Sequence, residues 1–177
     1  MNAQRDPIAI VGAGPVGLVL SLLLAREGLP VVLLEAEADI SEELRASTFH
    51  PPTLDMLDGL DLGAPLVAQG LVTPTWQIRR HADGARAVFD LSVIAPDTAH
   101  PYRLQAEQWK LSRLILAKMR AEQPDALPRF GCAVETVTQD ADGVTLSGRG
   151  FEPIRAAFVI GCDGARSVVR RAMAMPF

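Results

Sequence analysis

The sequence predicts a mixed α/β fold organised around a parallel sheet, and three observations lead to this prediction. Near the N-terminus, two short apolar strands enclose a long apolar helix, which is the pattern of a strand–helix–strand unit. The middle of the chain contains strand-like segments separated by short turns, as in antiparallel hairpins. Residues 157–160 form another short apolar run that precedes a turn. A parallel sheet with a small antiparallel excursion accounts for this order of elements.

The first strand–helix–strand unit is marked at its boundaries by residues with clear backbone roles. Residues 8–11 and 31–34 are short and apolar, and most of their side chains are β-branched, as expected of buried parallel strands. Pro15 lacks an amide hydrogen and therefore suits the first turn of a helix. Gly28 can adopt the left-handed conformation that ends a helix, so the helix is expected to end near Glu27.

Three glycines between the first strand and the helix predict a dinucleotide-binding site of the Rossmann type. Gly12 permits the tight turn, Gly14 lets the backbone approach a pyrophosphate, and Gly17 lets the helix pack close to the strand. We expect a positive φ at Gly14. Glu35 ends the second strand, where a carboxylate accepts a hydrogen bond from a ribose 2′-hydroxyl and repels the 2′-phosphate of NADP. The alternative, a glycine-rich turn without a ligand, does not explain the flanking strands and the acidic residue.

The remainder of the chain contains a second long helix and several antiparallel strands. The buried stripe of that helix is expected to comprise Leu111, Leu114, Ile115 and Met119. The predicted segments are a short helix over 51–57, a hairpin of 73–80 and 85–93, a loop over 96–104, the long helix over 107–122, strands within 127–140 and 143–150, and a strand, turn and helix start over 156–173.

Three further sites are candidates for contact with a nucleotide, and each has a plainer alternative. Asp163, followed by Gly164 in a turn, can accept a hydrogen bond from a cofactor hydroxyl or can cap the next helix. Gln108 lies on the buried face of the long helix at its first turn, where its amide can contact a cofactor or the backbone. Arg45 follows an acidic stretch and can pair with a diphosphate or with those carboxylates.

Composition and charge restrict the class of protein. The chain has 177 residues, 49% of them hydrophobic, and its net charge of −4 argues against nucleic acid as a partner. No run reaches the ~18 apolar residues of a membrane span, and the first apolar stretch is too interrupted for a signal peptide. We therefore expect a cytoplasmic protein in which Cys132 and Cys162 are reduced core thiols, although their contexts also allow a bridge.

The three histidines do not predict a metal site. His50, His81 and His100 show no metal-ligand spacing and are expected at the surface or at helix caps.

Three motifs, taken in order, resemble the FAD-dependent aromatic hydroxylases of the para-hydroxybenzoate hydroxylase type. They are GAGPVG at residues 12–17 together with Glu35, RAS at residues 45–47, and CDGARSVVR at residues 162–170. The chain is most similar to the hydroxyphenylpropionate and phenol hydroxylase branch of this family, and the resemblance covers essentially the whole chain. Gln108 matches the helix-borne glutamine that approaches the flavin in the family.

The resemblance implies how FAD and a reductant are held. FAD would lie extended, with its adenosine ribose on Glu35 and its pyrophosphate over Gly12, Gly14 and Gly17, next to Pro15. Arg45 would assist at the diphosphate, and Asp163 with Gly164 would serve both FAD and the reductant, NADH or NADPH. The implied reaction is oxygen-dependent hydroxylation of a small phenolic molecule. No side chain is assigned as a catalytic acid or base, because the cofactor carries out the chemistry.

Members of this family are considerably longer than the present chain. We therefore expect residues 1–177 to be the FAD-binding domain of a truncated monooxygenase, with residues 72–104 beginning a substrate-side antiparallel excursion and the C-terminal half of the family fold absent. Two other functions remain open: a nucleotide-binding module without turnover, and another FAD oxidoreductase such as an amine oxidase or a flavoprotein reductase. An NAD-dependent dehydrogenase has less support, because no residue is a candidate for proton transfer.

Overall fold

The computed structural model describes residues 6–44 and 46–176, which contain both strands and helices. The strands are β1 (Ile8–Val11), β2 (Val31–Leu34), β3 (Thr48–Phe49), β4 (Leu71–Thr73), β5 (Thr75–Arg80), β6 (Gly84–Asp90), β7 (Arg103–Gln105), β8 (Ala133–Gln139), β9 (Val144–Arg149), β10 (Ile154–Ala156) and β11 (Phe158–Gly161). The α-helices are α1 (Pro15–Arg26), α2 (Pro51–Asp58), α3 (Gly63–Val67), α4 (Gln108–Glu122) and α5 (Val168–Ala172). Short 3-10 turns occur at Leu91–Ile94, Pro124–Ala126 and Gly164–Arg166.

The chain divides into two compact units. The first contains residues up to 42 and residues from 115 onwards, and the second contains residues 43–114. Strands β1, β2 and β8 to β11 belong to the first unit, whereas β3 to β7 belong to the second with α2 and α3. The motifs around Gly12 and Asp163 are distant in sequence but fall in the same unit.

A parallel sheet with the strand order β11–β1–β2 forms the centre of the first unit. Ile8 lies beside Val31 on one side and beside Phe158 on the other. Arg129 extends the β2 edge through a parallel bridge to Leu34. Because the three strands are parallel, their carboxyl ends meet at one edge of the sheet, which is where ligands bind in open sheets of this kind.

The two faces of the parallel sheet are covered by different elements. On one face, alternate side chains join a core with the antiparallel sheet β10–β9–β8 and with α5. On the other face, Ile10 and Leu33 are buried, and α1, which packs against β1 and β2, buries Leu18 and Leu22 completely. The core of the first face consists of Ala9, Val11, Val32, Leu34, Cys132, Val134, Leu146, Ala156 and Val169.

The second unit is built from two antiparallel arrangements. One is the sheet β3–β7–β4, and the other is the two-stranded ribbon of β5 and β6. Within the ribbon, the ring of Trp76 stacks on that of Phe89, with centroids 4.1 Å apart and planes 8° from parallel. Helices α2 and α3 pack against each other in the same unit.

The predicted α/β class, with its parallel sheet and antiparallel excursion, is confirmed. The hairpin is shorter than predicted, because residues 91–94 form a 3-10 turn. The loop predicted over residues 96–104 is wrong at its end, where Arg103–Gln105 forms β7. Leu114 in the predicted stripe of α4 is only half-buried, whereas Leu116 is 1% exposed. The assignment of residues 72–104 to a substrate side stays a prediction.

The two cysteines are free thiols, as predicted, with Cys132 buried and Cys162 half-buried. The Cys132 thiol donates to the carbonyl oxygen of Gly150 at 3.4 Å. Within the described residues, no helix combines the length and the hydropathy that crossing a bilayer requires.

Candidate functional site

The turn after β1 depends on Gly12 for two reasons. Its φ of +99° lies in the region that favours glycine. A Cβ atom built on Gly12 would also lie 2.5 Å from the carbonyl oxygen of Cys162 and 2.9 Å from the Cα of Asp163. The amide of Gly12 donates to the carbonyl oxygen of Leu34 at 2.8 Å. The first glycine therefore brings the N-terminal motif into direct contact with the motif at Asp163.

The start of α1 offers an open position for an anion. Gly14 is the N-cap residue and Pro15 is the first residue of the helix. The expected positive φ at Gly14 is wrong, because its φ is −65° and its ψ is 176°. Apart from Gly14 itself and its two neighbours in the chain, no described residue has an atom within 4 Å of a Cβ built there. The first-turn amides of Val16 and Gly17 have no acceptor within the helix, so they can donate to a diphosphate in this space.

The carboxylate of Glu35 accepts hydrogen bonds from two backbone amides. Its Oε2 lies 2.6 Å from the nitrogen of Ala13, which stands between the first two glycines. Its Oε1 lies 3.0 Å from the nitrogen of Glu37. Sequence reasoning missed both donors, because it considered Glu35 only as a ligand of ribose. An ionised carboxylate has about four acceptor sites, so roughly two remain for ribose hydroxyls.

Asp163 contacts the start of α5, as one of its two alternatives predicted, and its contact with a cofactor hydroxyl stays a prediction. Its Oδ2 accepts from the amide of Val168 at 2.6 Å, at the start of α5. Its Oδ1 is buried and has no hydrogen-bond partner among the described residues. A buried acceptor without a donor is costly, on the order of 1–3 kcal/mol, which a ligand hydroxyl would offset. The formal N-cap of α5 is Ser167, whose hydroxyl accepts from the amide of Arg170 at 3.0 Å.

The remaining predicted residues are placed as follows. Gly164 has a φ of +71° and begins a 3-10 turn directly after Asp163. Gln108 is half-buried at the start of α4, and its backbone amide donates to the carbonyl oxygen of Ala46 at 3.0 Å. Gln108 belongs to the second unit, so its approach to a flavin stays a prediction. Arg45 lies outside the described residues, and its role at the diphosphate stays a prediction as well.

Cys162 directly precedes Asp163 in the chain, and the surroundings of its thiol disfavour the thiolate form. Burial raises its pKa, and the negative charge of Asp163 raises it further. Since only the thiolate is a good nucleophile, Cys162 is poorly suited to covalent chemistry near neutral pH.

His100 forms a polar cluster in the second unit that the sequence did not reveal. The expectation of a surface or capping position is wrong, because this residue is 8% exposed. Its Nε2 lies 2.7 Å from Oδ2 of Asp58, and its Nδ1 lies 2.7 Å from the hydroxyl of Tyr102. Burial raises the pKa of Tyr102, and the charges of Asp58 and Asp55 raise it further.

The same cluster contains a possible set of metal ligands. One ligand atom from each of Asp55, Asp58 and His100 lies within 4.8 Å of the others. The direct bond between His100 and Asp58 uses the nitrogen that would face a metal, and Thr98 donates to Asp55 at 2.7 Å. Internal hydrogen bonds therefore account for the cluster. His50 and His81 are exposed, as predicted.

Comparison with known families agrees with the class of site that this geometry defines. Residues 5–177 match the FAD binding domain family, and the chain belongs to that family. FAD is therefore the cofactor of this domain. In the first unit, the N-terminus of α1 is open at Gly14, the Glu35 carboxylate accepts from the amide of Ala13, and the buried Oδ1 of Asp163 has no hydrogen-bond partner among the described residues.

Individual relatives are monooxygenases that act on aromatic compounds. The chain is 36% identical to para-nitrophenol 4-monooxygenase of a Pseudomonas species over 175 residues, which is 97% of this chain and 43% of the relative. It is 35% identical to 6-hydroxy-3-succinoylpyridine 3-monooxygenase of Pseudomonas putida, covering 96% of this chain and 44% of the relative. The crystal structure of p-nitrophenol 4-monooxygenase from Pseudomonas putida matches with a TM-score of 0.90 at 35% identity, covering 98% of this chain and 44% of that one.

These matches confirm the predicted resemblance to FAD-dependent aromatic hydroxylases. They also show that the chain spans less than half the length of the relatives just described.

Proposed function

We propose that the chain is the FAD-binding part of an NAD(P)H-dependent flavoprotein monooxygenase that hydroxylates a small phenolic substrate. The observation that carries this proposal is the meeting of the Gly12 turn, Glu35 and Asp163 at the carboxyl edge of one parallel sheet. Relatives named for p-nitrophenol and for a hydroxylated pyridine support the substrate class. The free thiols of Cys132 and Cys162 support a cytoplasmic location.

The residues of the first unit have distinct parts in this proposal. The first-turn amides of α1 donate to the diphosphate, and the positive end of the helix dipole favours its charge. Glu35 accepts hydrogen bonds from the adenosine ribose with the acceptor sites that its amide contacts leave free. Asp163 receives a cofactor hydroxyl on its buried Oδ1. By resemblance, Arg45 supports the diphosphate and Gln108 approaches the flavin.

The protein groups bind and orient the cofactor, and none of them needs to transfer a proton in this assignment. When bound, FAD supplies the redox chemistry with the pyridine nucleotide and dioxygen. Glu35 disfavours a 2′-phosphate at its own position, which belongs to the adenosine ribose of FAD. The choice between NADH and NADPH is thus left to other residues.

The first experiment measures which part of a flavin the chain recognises. Purified protein is titrated with FAD, FMN and riboflavin while flavin fluorescence is recorded, and ADP is added as a competitor. Recognition through the glycine turn and Glu35 requires the adenosine diphosphate half, so FAD is expected to bind much more tightly than FMN. Equal affinity for FAD and FMN, or binding of NAD in place of FAD, would contradict the proposal.

The second experiment tests turnover. Protein loaded with FAD is mixed without oxygen with NADH or NADPH, and bleaching of the flavin absorbance reports reduction. Oxygen and a panel of phenols are then added, and hydroxylated products are measured together with hydrogen peroxide. Tight FAD binding with no reduction by either nucleotide would favour a binding module without turnover.

A further inference from the structure

The side chain of Glu35 is engaged by protein donors on both of its carboxylate oxygens. Oε2 accepts from Ala13 at 2.6 Å and Oε1 accepts from Glu37 at 3.0 Å. Charge-assisted bonds of this kind are among the stronger hydrogen bonds in proteins. A residue that served only as an acceptor for ribose would not need either contact.

The backbone of Glu35 is anchored as firmly as its side chain. Its amide donates to the carbonyl oxygen of Arg129 at 3.0 Å, and its carbonyl oxygen accepts from the amide of Cys132 at 2.7 Å. These bonds join the end of β2 to the neighbouring chain segment. The carboxylate therefore projects from a fixed point towards the turn after β1.

The turn that contacts this carboxylate is held by few backbone bonds, among them the bond from the amide of Gly12 to the carbonyl oxygen of Leu34. Ala13 is flanked by Gly12 and Gly14, and glycines have the greatest backbone freedom. Ala13 itself is buried, and its amide is the group that Oε2 engages. One strong bond to this amide fixes the peptide that leads from Gly12 into the N-terminus of α1.

We propose that Glu35 is a positioning residue for the diphosphate-binding turn, separate from its expected contact with the adenosine ribose. This proposal rests on the proposed function, because it assumes that the turn binds the diphosphate of FAD. Through Ala13, the carboxylate holds the turn in the shape that presents the first amides of α1. Glu35 thus acts on the diphosphate although its negative charge opposes that ligand.

The opposing charge makes the proposal testable with an anion that contains no ribose. Loss of a carboxylate near the diphosphate should tighten anion binding if charge alone matters. Loss of the contact with Ala13 should weaken it. Glu35→Ala removes the charge and both acceptors, whereas Glu35→Gln removes the charge but keeps one oxygen, which can still accept from the Ala13 amide.

The experiment compares the 177-residue protein with Glu35→Ala, Glu35→Gln and the control Glu37→Gln. Glu37 carries the same charge two residues away, and its side chain is exposed. Inorganic pyrophosphate and ADP are titrated calorimetrically, and amide hydrogen exchange of Ala13 is measured by NMR without ligand. We expect Glu35→Ala to bind pyrophosphate on the order of tenfold more weakly and to exchange the Ala13 amide at least about tenfold faster, and Glu35→Gln to show smaller changes in both. The control should match the parent or bind pyrophosphate slightly more tightly.

Two results would overturn the proposal. Unchanged or tighter pyrophosphate binding by Glu35→Ala, with only ADP weakened, would leave Glu35 as a ribose acceptor alone. An unchanged exchange rate at Ala13 would show that the carboxylate does not hold the turn. Because the exchange measurement needs no ligand, it still decides the contact if the parent protein binds neither FAD nor pyrophosphate, in which case the proposed function itself fails.

Discussion

A Cβ atom on Gly17 would lie 1.9 Å from the carbonyl oxygen of Gly12. The first turn of α1 therefore rests directly on the backbone of the turn that follows β1. The atom in the way is main chain and cannot rotate aside as a flexible side chain would. Gly17 is thus required by packing, whereas Gly14 has open space on the side where a side chain would project.

Gly17→Ala should destabilise the fold. Inserting a methyl group into a packed contact typically costs about 1–3 kcal/mol, and a backbone obstacle places this case at the upper end. Urea unfolding followed by circular dichroism measures the loss. The adjacent Val16→Ala is the control, because Val16 is 69% exposed and its truncation should change the free energy of unfolding by no more than about 0.5 kcal/mol. Equal stability of the two variants would contradict the packing role of Gly17.

Gly14→Val should have the opposite profile, with the fold retained and FAD binding lost. Valine accepts the φ of −65° and ψ of 176° at this position, so no backbone strain is expected. Its side chain would occupy the open space at the N-terminus of α1, where the proposed function places the diphosphate. Flavin titration and urea unfolding of the same preparation separate the two effects. A variant that holds FAD as tightly as its parent would place the diphosphate elsewhere.

The contrast between these glycines shows what the sequence can and cannot predict. The motif identifies both positions, because only glycine satisfies either requirement. It also predicts that Gly17 serves packing, and Gly17 does lie against the carbonyl oxygen of Gly12, but it does not predict that Gly12 approaches the backbone at Cys162, far along the sequence. The positive φ expected at Gly14 is found instead at Gly12.

Long-range polar contacts are the part of the structure that the sequence conceals most. The strand–helix–strand unit was predictable because its signals are local, and so was α4. The bond between Ala13 and Glu35 joins a residue with no polar side chain to a carboxylate 22 positions away. The cluster of His100 with Asp58 likewise joins residues 42 positions apart. Strands of two or three residues, such as β3 and β7, have too few side chains to show a period.

Substitutions of Asp163 should separate its contact with α5 from its proposed contact with the cofactor. Asp163→Ala removes the acceptor for the amide of Val168 and should cost about 0.5–2 kcal/mol of stability, as for a lost helix cap. Asp163→Asn keeps one oxygen for that amide, so most of the stability should return. Its FAD affinity should stay below that of the parent, because a neutral group replaces a charge-assisted acceptor. Thermal unfolding and flavin titration measure the two quantities, and full affinity in both variants would remove Asp163 from the cofactor site.

The ionisation of Tyr102 provides a test of the second unit that needs no ligand. This residue is the only tyrosine of the chain, so the absorbance of ionised tyrosine reports it alone. Burial raises its pKa, with additional contributions from Asp58 and Asp55, so the phenol should ionise above the ordinary value of about 10 in the folded protein and near that value in urea. A group with a raised folded-state pKa binds more protons in the folded chain, and stability therefore falls as the pH rises from about 10 through the folded pKa.

Tyr102→Phe should be less stable near neutral pH, where it lacks the bond to His100, but should show less of this alkaline loss of stability. Asp58→Asn should lower the Tyr102 pKa only in part, because burial is the larger cause. A tyrosine that titrates alike in the folded protein and in urea would contradict the packing of Tyr102 against His100 and its closeness to Asp58.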